Sequence, residues 1–164
     1  MSLGLTIFTL AHVVISLIGI FSGLVVAYGF LAGKLLDGWT AAFLTSTVLT
    51  SVTGFLFPFH HLLPSHIVGV ISLVILAIAI FARYGRKLTG GWRATYVVSA
   101  MAALYLNVFV LVVQLFLKVP ALKALAPTQT EAPFKVAQIA VLIVFVVLSI
   151  FATVRFRSER LRAA

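Results

Sequence analysis

Five long apolar runs divide the chain, and each is almost free of charged residues. About 20 apolar residues are enough to cross the hydrocarbon core of a bilayer as a helix. A helix satisfies its own backbone polar groups, which lipid cannot do, and no strand-like alternation is visible. The pattern therefore predicts five transmembrane helices, with approximate bounds 3–32, 39–59, 65–84, 92–117 and 134–154.

Short segments rich in polar residues, glycine or proline separate these runs. Three prolines between residues 118 and 133 argue against a continuous helix there. The second and third runs are divided only by the segment between Pro58 and Pro64. We therefore keep an alternative in which these two runs form a re-entrant hairpin and the chain crosses the membrane four times.

The composition agrees with a membrane protein, since 63% of the 164 residues are hydrophobic and 9% are charged. Soluble domains average about 45–50% apolar and about 25% charged residues. We expect a single transmembrane domain over residues 1–164. The absence of cysteine excludes disulfides and thiolate metal ligands. The net charge of +9 is assigned to contacts with lipid headgroups, and no nucleic-acid partner is expected.

The distribution of the basic residues predicts the orientation. With five crossings, nine of the twelve lysines and arginines fall on one side and three on the other. The side rich in basic residues is usually cytoplasmic. We therefore predict an all-α integral membrane protein, a bundle of five transmembrane helices with its N-terminus outside and its C-terminus inside.

Small and polar residues follow one face of several spans. In the first span, His12, Ser16, Gly19 and Gly23 are spaced by 4, 3 and 4 residues, which places them on one side of a helix. Gly19 and Gly23 form a GxxxG pair, which allows close approach of another helix. Such stripes are typical of packing seams, within the chain or against a partner membrane protein or a second copy.

The larger polar side chains lie at a similar depth. At 1.5 Å per residue, His12, Gln114 and Gln138 fall about 9–13 Å from the midplane on the outer side, and Asn107 falls near the centre. Polar side chains at this depth usually face protein or water. We therefore predict an outward-facing ligand pocket formed by His12, Asn107, Gln114 and Gln138. For His12, the simpler interpretation is one buried hydrogen bond between helices.

The ligand of this pocket stays open. A neutral histidine and amides suit the oxygens of a quinone or a similar lipid-soluble molecule. A b-type haem, with His12 as an axial ligand, is a narrower alternative, and His66 is then the candidate for the second position. Either cofactor would make the chain an electron-transfer component of a membrane complex.

The segment FPFHHLLPSH holds three of the four histidines, His60, His61 and His66. Imidazole nitrogen is a ligand for zinc and copper, so the segment is a candidate metal site at the outer surface. Neighbouring side chains diverge, however, and converge on one ion only if the backbone twists. The alternative is an interfacial turn that closes the top of the pocket.

Other function classes have less support. No Asp, Glu, Lys or Arg lies deep in any predicted span, which disfavours transport of charged substrates. A small neutral-solute transporter or an oligomeric channel stays an alternative. The sequence has no GxSxG, P-loop or HExxH motif. We therefore expect a non-enzymatic protein that binds a lipid-soluble ligand or a partner membrane helix.

Three stretches resemble a group of small bacterial multi-pass inner-membrane proteins of unknown function. They are GWTAAFLTSTVLTSVTGFLFPF, SHIVGVISLVILAIAIFARY and ALYLNVFVLVVQLFLKVPALKALAPTQTEAPF. The resemblance covers most of spans two to four and the outer loop. It implies the inner membrane of a bacterium and several membrane passes, and it carries no activity, cofactor or site.

Overall fold

The structure of the chain, a computed structural model, describes residues 3–57 and 64–162. These residues form helices and no strand, which confirms the predicted all-α class. The helices are α1 (Leu3–Leu31), α2 (Asp37–Gly54), α3 (Pro64–Ile80), α4 (Trp92–Lys118), α5 (Pro120–Leu125) and α6 (Ala132–Arg162). A π-helical turn, Phe81–Gly85, continues α3.

Within residues 3–57 and 64–162, four segments are long and apolar enough to cross a membrane. They are Leu3–Leu31, His66–Gly85, Trp92–Lys118 and Ala132–Phe156, close to four of the five predicted spans. Helix α2 is not among them, because seven of its 18 residues are serine or threonine. A membrane location follows from the four apolar segments. The five-span count and the orientation of the termini stay predictions.

Side-chain contacts fix the relative directions of the long helices. The start of α1 meets the end of α2, and the end of α2 meets the start of α3. Helices α4 and α6 also run antiparallel, so successive long helices alternate in direction. For α1 and α2 the pairs that establish this are His12–Thr53 and Phe21–Trp39. For α2 and α3 they are Ser51–Ser72 and Asp37–Arg83, and for α4 and α6 they are Phe109–Gln138 and Tyr105–Phe145.

The buried core is densest at one end of this bundle, which we call the Arg83 end. It contains the C-termini of α1 and α6 and the N-termini of α2 and α4. There the ring of Phe30 packs edge-on against Tyr96 at 5.4 Å and against Phe156 at 5.2 Å. Phe43 and Leu104 lie next to Gly23, where a Cβ would approach both closer than van der Waals contact. The predicted GxxxG face of α1 is therefore a packing seam with α2 and α4.

The connection between α4 and α6 lies at the opposite end, which we call the His12 end. Pro120 begins the short helix α5, where its missing N–H costs nothing. Gln129 adopts a left-handed backbone, with φ of 60°, and its Nε2 donates to the carbonyl of Val113 at 2.9 Å. The connection is therefore tied back to α4. The predicted break in helix over this proline-containing region is confirmed.

Glu131 closes the same connection. Its carboxylate accepts hydrogen bonds from the backbone N–H and hydroxyl of Thr128, at 3.2 and 2.8 Å, and from the backbone N–H of Thr130 at 3.0 Å. Partial desolvation alone would raise the pKa of Glu131, but these hydrogen bonds outweigh it and hold the pKa below its usual range.

Candidate functional site

His12 lies half-buried near the start of α1 and is fixed by the end of α2. Its Nδ1 is 2.7 Å from the hydroxyl oxygen of Thr53. That hydroxyl also lies 2.7 Å from the carbonyl of Leu49, to which it can donate its single proton. We therefore assign the proton between His12 and Thr53 to Nδ1, and in the neutral imidazole Nε2 then keeps a lone pair. No described residue donates a hydrogen bond to Nε2.

One aromatic ring contacts this imidazole directly, and a second packs behind the first. The Phe57 ring stands edge-on to it at a centroid distance of 5.1 Å, and Phe8 packs against Phe57 at 4.9 Å. Gly54 lies below the ring, since a Cβ at this position would be 3.9 Å from His12 Cε1. We call His12, Thr53, Phe57 and Phe8 the His12 site. It combines one hydrogen-bond acceptor with flat apolar surfaces, the composition typical of small-molecule sites.

Asn107 also bonds to α2, but further along the helix. Its Nδ2 donates to the hydroxyl of the buried Thr47 at 3.1 Å. Gly19 makes room for this pair, because a Cβ there would be 3.2 Å from Thr47 Oγ1 and 3.5 Å from Asn107 Nδ2. The amide therefore joins three helices at a place where the glycine of the GxxxG pair is required.

Gln138 and Gln114 lie away from that seam. Gln138 is buried between α4 and α6, and its Nε2 donates to the carbonyl of Phe109 at 3.2 Å. Its Oε1 is buried without a partner among the described residues. Gln114 is exposed. The structure thus brings His12 and Asn107 to one helix, α2, and places Gln138 at another interface, so the four side chains do not form a single cluster of direct contacts.

The candidate metal ligands are described only in part. His60 and His61 lie outside the described residues. His66 is buried in the first turn of α3, with its ring 5.7 Å from that of Phe55. Among residues 3–57 and 64–162 no group of three or more metal-ligating side chains comes together. The metal site therefore stays a prediction.

A second polar cluster, not predicted from the sequence, lies at the Arg83 end. Arg83 is buried and forms an ion pair with the largely exposed Asp37 through Nη2. Its guanidinium carbon lies 5.3 Å from the Tyr84 ring centroid and 5.4 Å from that of Tyr96. Tyr96 in turn donates a long hydrogen bond to Thr40 at 3.4 Å.

Two nitrogens of Arg83, Nε and Nη1, are buried without a hydrogen-bond partner among the described residues. A buried donor left without a partner costs about 1–3 kcal/mol, and more when it is charged. The spacing of residues along α3 and the π-helical turn indicates why Arg83 is buried. Ser72, Leu76, Ala79 and Arg83 are 4, 3 and 4 residues apart, and all four are buried on one stripe.

Comparison of the chain with models of known protein families, with curated proteins and with solved structures finds no match. The functional conclusion therefore depends on the geometry of these sites.

Proposed function

We propose that the chain is a non-enzymatic integral membrane protein whose His12 site binds a small lipid-soluble ligand in the outer half of the bilayer. The observation that supports this is the contact of His12 Nδ1 with the Thr53 hydroxyl, from which we assign the tautomer. With the proton on Nδ1, the lone pair of Nε2 is left to accept a hydrogen bond in an apolar, half-buried setting.

The tautomer of His12 determines which ligand group can form a hydrogen bond with its Nε2. The sequence favoured the carbonyl oxygens of a quinone, which need donors. Because His12 Nε2 is an acceptor, the better ligand carries a hydroxyl, as a quinol does. The rings of Phe8 and Phe57 supply flat contacts for such an aromatic ring. Asn107 and Gln138 then act mainly in helix packing, because each amide already donates to a neighbouring helix.

A b-type haem is the second candidate, and one feature favours it. Histidines that ligate metals usually donate their other ring N–H to a fixed partner, as His12 does to Thr53. The chain would then be a haem-linked component of a membrane complex rather than a quinol-binding protein.

We further propose that α2 crosses the membrane, which gives five passes with the His12 end outside, in the inner membrane of a bacterium. Its 18 residues span about 27 Å at 1.5 Å per residue. Three of its hydroxyls, those of Ser46, Ser51 and Thr53, donate to carbonyls one turn back in α2, which lowers the cost of placing them in lipid. Helices α1 and α3 flank it on two sides.

The topology is tested by cysteine labelling, for which this cysteine-free chain needs no background substitution. Single cysteines are introduced as Gln129→Cys at the His12 end and Lys87→Cys at the Arg83 end. In intact cells, a membrane-impermeant maleimide should label the first position and not the second. Labelling of both, or of the second alone, would contradict the five-pass orientation.

The ligand is tested on protein purified in mild detergent. We expect an extractable quinol or quinone in the wild type and in Gln114→Ala, and at least a tenfold loss in His12→Ala. A Soret band that disappears in His12→Ala would instead select haem. If the wild type holds neither, the site is a packing contact, and a partner helix is the remaining occupant.

A further inference from the structure

An open apolar groove runs between α2 and α3, away from the His12 site. Its volume is about 300 Å³. The wall on α2 extends from Ala41 to Leu49, and Ile80 and Tyr84 form the wall on α3. Ala41 and Leu49 are eight residues apart, about two helical turns, so the groove follows the helix axis over about 12 Å. This shape and composition suit an acyl chain.

The end of the groove at Tyr84 adjoins the buried Arg83. The Tyr84 ring lines the groove and also lies 5.3 Å from the guanidinium carbon of Arg83. Nε and Nη1 of the same guanidinium are buried without an acceptor among the described residues. Tyr84 itself is 55% exposed, so its ring can rotate away without disturbing the core. An anionic group at this end of the groove would pair with donors that the described residues leave without an acceptor.

The surrounding charges favour an anion. Asp37, whose side chain is 78% exposed, is the acidic partner of Arg83. Lys34 precedes it in the α1–α2 connection, and Arg86 and Lys87 follow Tyr84 in the α3–α4 connection. The two connections that border the groove therefore carry more positive than negative charge. Guanidinium groups match the geometry of phosphate oxygens.

We propose that this groove binds an anionic phospholipid. One acyl chain lies between α2 and α3, and the phosphate pairs with Arg83, whose guanidinium becomes accessible when the Tyr84 ring rotates away. The site lies at the Arg83 end and shares no residue with the His12 site. A negative result for this lipid site would therefore leave the proposed function of the His12 site unaffected.

Quenching of tryptophan fluorescence by brominated lipids tests the proposal. The chain has two tryptophans, Trp39 and Trp92, both at the Arg83 end. Trp39→Phe and Trp92→Phe remove both, and Leu49→Trp places a single reporter tryptophan on the α2 wall of the groove. Protein is reconstituted in phosphatidylcholine vesicles with increasing brominated phosphatidylglycerol, or with brominated phosphatidylcholine of the same acyl chains. We expect half-maximal quenching at about a tenfold lower fraction of the anionic lipid, the effect of one charge-assisted hydrogen bond.

Two variants locate the effect. Ala41→Phe fills the groove, and Ala140→Phe places the same ring on an exposed part of α6, a helix that does not line the groove. The preference for the anionic lipid should disappear in Ala41→Phe and persist in Ala140→Phe. Arg83→Gln should also remove it, and if that variant fails to fold, Ala41→Phe still decides.

Three results would overturn the proposal. The first is equal quenching by both lipids in the reporter protein that carries no groove-filling or Arg83 substitution. The second is a lipid preference that survives Ala41→Phe. The third is a dimer that Ala41→Phe converts to a monomer without any lipid preference, which would assign the groove to a second copy of the chain.

Discussion

Replacement of Gly23 by alanine should destabilise the bundle, because this glycine lies where three helices meet. A Cβ built on Gly23 would be 2.5 Å from Leu104 Cδ1 and 2.9 Å from Cδ2 and Cε2 of Phe43. Leu104 can shift its methyl group, but Phe43 is 1% exposed and its ring has no free space. Overpacking of this kind typically costs about 1–3 kcal/mol. Alanine also favours helix over glycine by about 1 kcal/mol, so the net loss is about 0–2 kcal/mol.

Gly4→Ala is the matched control on the same helix. A Cβ on Gly4 meets nothing within 4 Å, so this variant has no clash. Gly4 lies in the first turn of α1, where the gain from helix propensity is smaller than at Gly23 in the interior. The overpacking cost of about 1–3 kcal/mol should nevertheless leave Gly23→Ala the less stable of the two variants. Unfolding in mixed micelles, followed by circular dichroism, measures both free energies. If Gly23→Ala proves as stable as Gly4→Ala, the proposed contact of α1 with α2 and α4 is wrong.

Two further predictions concern the amide seam and the outer connection. Asn107→Leu removes the hydrogen bond to Thr47 and should lower the free energy of unfolding by about 0.5–1.5 kcal/mol, the range for such bonds within membranes. The exposed Gln114→Leu should not measurably lower it in the same assay. Equal losses in the two variants would contradict the hydrogen-bonded contact of α4 with α2. Because the pKa of Glu131 is lowered in the folded chain, its contribution is present above its unfolded pKa and is lost as pH falls through the folded value. Amide protection of Thr128, corrected for intrinsic exchange, should decrease over that acidic range, and the decrease should be absent in Glu131→Gln; the same decrease in both proteins would refute this role.

The long helices could be predicted from hydropathy because lipid imposes a strict length and composition on each crossing. The first predicted span, 3–32, ends within one residue of α1, and the fourth, 92–117, within one residue of α4. The fifth was placed at 134–154, whereas α6 continues to Arg162. Arginines ended the apolar pattern there, but a helix can continue into water beyond the membrane.

Two local features were harder to predict from the sequence. The prolines of the outer connection correctly predict a break in helix after α4, but they do not show that Pro120 also begins the short helix α5. Proline fits the first helical position, where its missing N–H has no helical partner to lose. Arg83 lies at the end of an apolar run, a position that favours a cation at the membrane–water interface. Its burial depends on the rings of Tyr84 and Tyr96 and on Asp37 from another helix, contacts that only the tertiary structure brings together.

The predicted pocket shows the limit of an argument from depth alone. Depth groups residues by distance along the membrane normal, but the neighbours of each residue depend on how far the adjacent helices extend. Asn107 has Thr47 of α2 opposite it, whereas Gln114 lies on the same face of α4 two turns further along and is exposed. Helix α2 ends at Gly54, so it cannot continue the seam along the remainder of α4.

The proposed function depends on the protonation of one imidazole, which nitrogen NMR of the reconstituted protein measures directly. With ¹⁵N-labelled histidine, and His12→Asn to assign the signals, we predict a protonated Nδ1 and an unprotonated Nε2 for His12 at neutral pH. Addition of a prenylated hydroquinone should shift the Nε2 resonance and leave Nδ1 nearly unchanged. A proton on Nε2 in the free protein, or an Nε2 resonance that does not respond to the hydroquinone, would contradict the proposal that His12 accepts a hydrogen bond from a lipid-soluble ligand.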